Sequence, residues 1–152
     1  MDSKLKEKLE LHKIWLESKG GKRADLRNAN LCNSDLSSVN LRKADLRNAN
    51  FSGAKLRNAK LYGADLRNAN LSCADLFAAD LRKSDLRNVD LRSANLYTAD
   101  LSDATIHKEM KVAGLVYQLT NVGAENGTLL IADCGEDWFF HCGFLEENSQ
   151  VF

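Results

Sequence analysis

The chain has 152 residues, 44% of them apolar and 28% charged, with 21 Lys/Arg against 21 Asp/Glu and no proline. That length is enough to bury one ordinary core. The balanced charge argues against a nucleic-acid-binding domain, and no run of about 18 apolar residues is present to span a bilayer. The charge is nevertheless uneven: residues 1–23 hold seven basic against four acidic side chains, 24–108 hold thirteen against ten, and 109–152 hold one against seven, giving +3, +3 and −6. Such asymmetry points to a partner surface. The first 18 residues mix charged and apolar side chains throughout, which is unlike a secretory signal, so the expected compartment is the cytoplasm.

The first predicted element is a helix over residues 3–18, forming an N-terminal unit of residues 1–23. Asp2 or Ser3 serves as its N-cap. Leu5, Leu9, His12 and Leu16 fall at helical spacing, Ile14 and Trp15 widen the apolar side, and Gly20 and Gly21 stop the helix. The six lysines of the first 22 residues allow a membrane-surface helix as an alternative. A position directly before a repeat array favours a cap instead.

Residues 24–108 are that array. The pentapeptide ADLRN at 24–28 returns unchanged at 44–48 and 64–68, and as SDLRN at 84–88. From Leu26 every fifth residue through Leu101 is Leu except Phe51, and Ile106 extends the series. Two places before each stands Ala, except at Ser34, Val39, Ser84 and Val89. Neither 3.6 nor 2 divides five, so the period belongs to a chain that turns a corner once per unit. The large apolar residue then points inward from the middle of each side and the small one from the corner. Whole units recur at 20 residues, as do Asn30, Asn50 and Asn70, and LRK at 41–43 returns at 81–83. Four sides therefore make one coil, with Leu26, Leu46, Leu66 and Leu86 in one inward file. Stacked at the spacing of hydrogen-bonded strands, a little over four coils form a rod roughly 20 Å long.

The unit small–Asp/Asn–Leu–x–x resembles the pentapeptide repeat family, A(D/N)LXX, over residues 24–108. The resemblance implies an all-β solenoid, a right-handed quadrilateral β-helix, commonly dimeric and usually without enzymatic activity. The best understood members mimic duplex DNA and bind type II topoisomerases, protecting them from quinolones. Lys55 and Lys60 depart from the Asp/Asn of the pattern, and no projecting loop interrupts the array.

Residues 109–152 form the last unit. LVYQLT (115–120), TLLIAD (128–133) and WFFHCGF (138–144) are β-rich runs separated by turn-forming residues, which predicts a three-strand meander serving as a second cap. An apolar face left over after capping would pair with a second copy, giving a homodimer through residues 109–152.

No residue pattern supplies a catalytic, cofactor or metal site. Cys32, Cys73, Cys134 and Cys142 lack CxxC spacing, and the first two lie two coils apart on one side, about 10 Å, too far for a disulfide. His12, His107 and His141 are scattered. What remains are columns. Arg27, Arg47, Arg67 and Arg87 stack beside Asp25, Asp45, Asp65 and Asp85, either as a solvated salt-bridge lattice or as a surface for regularly spaced anions. Phe77 and Tyr97 stack on the third side, with Tyr62 on the fourth, either as rung stacking or as part of a protein contact. The expected function is a non-enzymatic scaffold for a protein partner, without specific nucleic-acid or membrane binding. A DNA mimic requires an anionic shaft, whereas this one is net +3.

Overall fold

The period of five originates in the backbone. The computed structural model describes residues 3–105 and, beyond them, three strands: β1 (Tyr117–Val122), β2 (Gly127–Ile131) and β3 (Phe140–Cys142). Each leucine carbonyl of the array accepts a hydrogen bond from the N–H three residues on, as Leu26 O does from Ala29 N at 3.1 Å. The third residue of each turn holds a positive φ: 56° at Asn28, 57° at Asn48, 58° at Asn68. A type II turn requires that conformation, and Asn and Gly tolerate it best. Hence the corner position is Asn at 28, 33, 48, 58, 68 and 88, and Gly at 53 and 63. The corner thus lies at the two residues after each leucine, not at the small residue as expected from the pattern. The small residue begins the next side and packs inward.

With corners so placed, every N–H of an interior unit that has Asp or Asn before its leucine finds a partner. Leu26 N–H donates to Asp45 O at 2.8 Å, Asn28 N–H to Arg47 O at 3.0 Å, and Asp45 N–H to Ala24 O at 3.0 Å, all between coils. Ala29 N–H closes the turn. The fifth, Arg27 N–H, faces outward and donates to Asp25 Oδ1 at 3.2 Å. That last bond is the physical reason for Asp or Asn before each leucine, and it recurs at Asn50, Asn70 and Asp90 with lengths of 3.0, 2.9 and 3.0 Å. Lysines at 55 and 60 offer no acceptor, so the N–H groups of Arg57 and Tyr62 are without it.

Every isolated bridge joins residues 20 apart in parallel, as in the ladder Asp25–Asp45–Asp65–Asp85–Thr105, so four units complete one turn of the solenoid. Sides 1 to 4 are led by Leu26, Leu31, Leu36 and Leu41. Leu46, Leu66 and Leu86 are 0% exposed and Leu26 is 3% exposed, so this file is inward. Phe51 is accommodated at 0% exposure, and the buried Ser84 hydroxyl donates to Leu81 O at 2.6 Å. Dense packing of this kind leaves no tolerance for a polar group without a partner.

Helix α1 (Ser3–Leu16) lies against the first coil. Leu5 and His12 are buried, Leu9 is partly buried, and Ile14 is exposed, so the buried stripe is narrower than expected. The helix ends at Leu16 and is closed not by Gly20 but by Ser18, whose φ is 58°, with Ser18 N–H on Trp15 O and Lys19 N–H on Ile14 O, the Schellman pattern. Gly21 has a different task. An added Cβ there would strike Leu11 O, so only glycine lets the chain double back along the helix. The first coil's outward carbonyls then find donors in this region: Lys8 Nζ donates to Asp25 O at 2.9 Å and Arg23 Nε to Lys43 O. Asp2, the other N-cap candidate, lies outside the described residues.

His12 is the one buried polar side chain of the helix. Its Nδ1 accepts Ala24 N–H at 3.1 Å, its ring stacks on Trp15 at 5.5 Å, and its Nε2 is buried without a hydrogen-bond partner. Burial lowers its pKa below the usual 6.5, opposed by the Arg42 carbonyl and assisted by the Arg23 charge. Beyond the solenoid, β1 pairs with β2 and β2 with β3, both antiparallel, in the order β1-β2-β3. Ile106, Cys134 and most of the segment between these strands lie outside the described residues.

Two predictions arise from this packing. Leu66→Asp places a carboxylate at a fully buried mid-shaft position with no partner, and the protein is expected to lose its cooperative fold; a circular dichroism melt within a few degrees of wild type would refute burial there. The second concerns His12. A neutral folded imidazole and an unfolded one that protonates near 6.5 mean that stability is full above that pH and declines as the pH falls below it. Urea unfolding at about pH 7.5 and about pH 5 is expected to show a larger loss in wild type than in His12→Gln, with equal losses counting against a buried neutral imidazole.

Candidate functional site

Side 1 repeats identically, so its side chains form continuous columns. Each arginine folds back on the aspartate two residues before it: Arg47 donates through Nε and Nη2 to Asp45 at 2.8 and 2.7 Å, Arg67 to Asp65 at 2.8 and 2.7 Å, and Arg87 to Asp85 at 2.9 and 2.6 Å. Arg27 grips Asp25 in the same way at 2.9 and 2.7 Å. Each also leans on the next coil, since Arg27, Arg47 and Arg67 approach Asp45, Asp65 and Asp85 at 3.6, 3.5 and 3.6 Å. Columns of like charge are thereby interleaved into a zigzag of alternating sign. These hydrogen bonds hold the Asp25, Asp45, Asp65 and Asp85 carboxyls below the ordinary range and the paired guanidiniums above theirs. Bidentate pairing occupies the side-on edge of each guanidinium and neutralises its charge. In the Arg27–Arg87 file the Nε and Nη2 edge of each guanidinium is taken and its charge is matched, which leaves only Nη1 and the outer Nη2 hydrogen for an external carboxylate or phosphate.

Side 3 carries the aromatic column. Phe77 and Tyr97 stack with ring centroids 5.9 Å apart, and the Arg57 guanidinium sits 4.3 Å from the Phe77 centroid. Arg57 is itself tied to Asp75 of the next coil at 3.0 Å. Tyr97 ends the column with 57% of its surface exposed. Tyr62 stands on side 4, away from that column, with the Arg42 and Arg82 guanidiniums 5.3 and 5.7 Å and the Lys83 ammonium 5.9 Å from its centroid. Spacing places these rings on their sides, but the arginines over Phe77 and Tyr62 are not legible from it.

Cys32 and Cys73 are free and exposed. Among the described residues, no group of three or more His, Cys, Asp or Glu could hold a metal ion, and no helix is long and apolar enough to cross a membrane. An open groove of about 780 Å³ runs between α1 and side 1, lined by Lys4, Lys8, Lys22, Arg23 and Arg27 together with Glu7 and Asp25.

Parallel bridges at 20-residue steps, inward leucine files and left-handed corners define a four-sided β-solenoid. The chain belongs to the pentapeptide repeat family, which matches in eight copies across residues 22–53, 34–72 and 69–107. The family's fold is a right-handed quadrilateral β-helix, and its members are generally non-enzymatic scaffolds. Among solved structures, the chain is similar to alr5209, a pentapeptide repeat protein from Nostoc PCC 7120, at 36% identity over 70% of this chain and 85% of that one, with a TM-score of 0.60. It is also similar to a pentapeptide repeat protein of the Arabidopsis thaliana thylakoid lumen, at 26% identity over 69% and 83% of the two chains with a TM-score of 0.38. QnrB1, a plasmid-mediated fluoroquinolone resistance protein, matches at 27% identity over 58% and 49% with a TM-score of 0.30. No curated protein matches the sequence.

Proposed function

We propose that the protein is a non-enzymatic binding scaffold of the cytoplasm, in which about four stacked coils present fixed columns of side chains to a protein partner. In this reading α1 closes the first coil and the β-rich segment 109–152 closes the last. The observation that carries it is the side 3 column. Tyr97 is exposed yet braced on Phe77, which is in turn covered by Arg57. A ring already held in one rotamer loses little freedom on docking, and aromatic residues and arginine are enriched where partners meet.

The alternative, a DNA mimic acting on a topoisomerase, requires an unneutralised anionic shaft. Here each aspartate of side 1 is matched by an arginine. Full-length protein at micromolar concentration is therefore expected to leave DNA gyrase supercoiling unchanged, while Phe77→Ser with Tyr97→Ser removes the partner captured from a cell extract. Potent gyrase inhibition would overturn the scaffold reading, and capture unaffected by the double substitution would remove the aromatic column from it.

Residues 109–152 complete the proposal as the contact between two copies, related by a two-fold axis. Sedimentation of the full chain as a dimer and of a 1–108 chain as a monomer is the expected result. A monomer in both cases removes the dimer.

A further inference from the structure

Charge compensation in the shaft has one exception. Among the described residues from Arg27 to Arg92, every arginine approaches an aspartate within 3.0 Å except Arg42. Its position in the unit is that of Arg27, which holds Asp25 of its own coil and leans on Asp45 of the next. The two equivalent places beside Arg42 are Asn40 and Lys60. Asn40 still accepts the Arg42 N–H at 3.4 Å, so the turn is intact, but the countercharge is gone. Asp80 feels the Arg42 charge from a distance, yet both its oxygens are occupied by Arg82 at 2.8 and 2.9 Å.

Around this guanidinium the surface is built symmetrically. LRK at 41–43 and LRK at 81–83 flank LYG at 61–63, so a ring and a glycine lie between two basic rungs. Tyr62 stands between Arg42 and Arg82 and holds both by their cationic faces. At Gly63 an added Cβ would meet only Lys43 Cγ, at 3.5 Å, which leaves a notch between Lys43 and Lys83. Arg42, Lys43, Lys60 and Lys83 are all exposed. The two rungs are about 10 Å apart by strand spacing.

We propose that this face of side 4 is a docking site for a short acidic peptide segment of a partner protein. The inference rests on the scaffold reading and names the chemistry of one contact. Arg42 offers the fork that a carboxylate fills bidentately, and the three lysines act as point charges around it. The patch is short. Asp100 and Asp103 lie one coil beyond the lower rung, and the Asp45 and Asp65 file lies around the corner on side 1. An extended peptide covers about 10 Å with three residues, so two or three carboxylates fit the patch. A continuing nucleic-acid backbone would carry its next phosphates onto those aspartates.

Titration of the full chain with fluorescein-labelled tetraglutamate at low ionic strength is expected to show saturable binding that weakens with added salt. Lys60→Asp supplies Arg42 with the carboxylate that Arg27 has in Asp45, and is expected to weaken binding at least about tenfold without lowering the melting temperature. Lys55→Asp makes the same charge change at the same place in the unit on side 3, and is expected to stay within about threefold of wild type. Absence of tetraglutamate binding, or equal weakening by the two substitutions, would overturn the site. Tighter binding of a ten-nucleotide oligothymidylate would make the face a nucleic-acid surface, and self-association abolished by Lys60→Asp would make its occupant a second copy; either result refutes the proposal. None of these outcomes alters the gyrase or aromatic-column results, so failure here is separable from failure of the scaffold reading.

Discussion

A left-handed residue two places after each leucine is the constraint on which the shaft depends. It turns the chain through a corner every five residues, and it aims two N–H groups of each unit at one neighbouring coil and a third at the other. Leucine burial alone does not specify this arrangement, because a leucine at every fifth place would smear around a helix. The corner converts period five into register, and the register stacks leucine on leucine. At Gly53 the requirement is compounded by contact, since an added Cβ would run into Asn33 Oδ1 one coil away. The same corner at Ala78 and Thr98 is held by residues with φ of 54° and 58° that do not favour it, and at Ala78 it is supported by hydrogen bonds to the coils on both sides.

The acidic residue of the unit serves the backbone before it serves electrostatics. Asp25 and its equivalents accept the single N–H that no coil can reach. A consequence is a column of carboxylates at strand spacing, where like charges about 4.8 Å apart repel by somewhat under 1 kcal/mol in water. The arginine two residues on cancels that repulsion within each rung and between rungs. Both aspartate and arginine columns are therefore products of the turn, and their regularity is not in itself the mark of a ligand. Where lysine replaces the acid at 55 and 60, the acceptor and the countercharge disappear together. Side 3 recovers a pair by tying Arg57 to Asp75, but side 4 leaves Arg42 without one.

What was legible in the sequence follows from the same logic. Unit identity at 20 residues is a direct image of four-sided register, because residues in one file share one environment; Leu26, Leu46, Leu66 and Leu86 could be assigned to a common inward file on that ground. Spacing alone puts the corner at the small residue, whereas Asn and Gly at 28, 33, 48, 53, 58, 63, 68 and 88 carry the signal for its true place. Periodicity reports that a place is special, and only the φ preference of the residues there reports why. The end of α1 was misplaced for a related reason. Gly20 and Gly21 looked like the stop, whereas Ser18 takes the left-handed turn and Gly21 is required by the close passage past Leu11. For the side chains, spacing predicted that the arginine and aspartate files adjoin, but not that each arginine would close on its own rung. That closure depends on residues i and i+2 flanking a turned leucine, a geometry absent from flat strands, where they would merely share a face.

The faces of the shaft differ in the information they hold. Side 1 repeats without variation, and a surface that reads the same at every coil cannot define where along the rod a partner sits. Sides 3 and 4 vary from coil to coil: Ser37, Arg57, Phe77 and Tyr97 on one, Arg42, Tyr62, Arg82 and Ser102 on the other. Each of those changes occurs at a position whose backbone hydrogen bonds are independent of the side chain, so substitution there leaves the turn, the ladder and the core undisturbed. A solenoid of this construction is thus free to vary its outward columns while its inward files stay constant. Variation on the adjoining sides 3 and 4 is therefore what distinguishes one position along the rod from another.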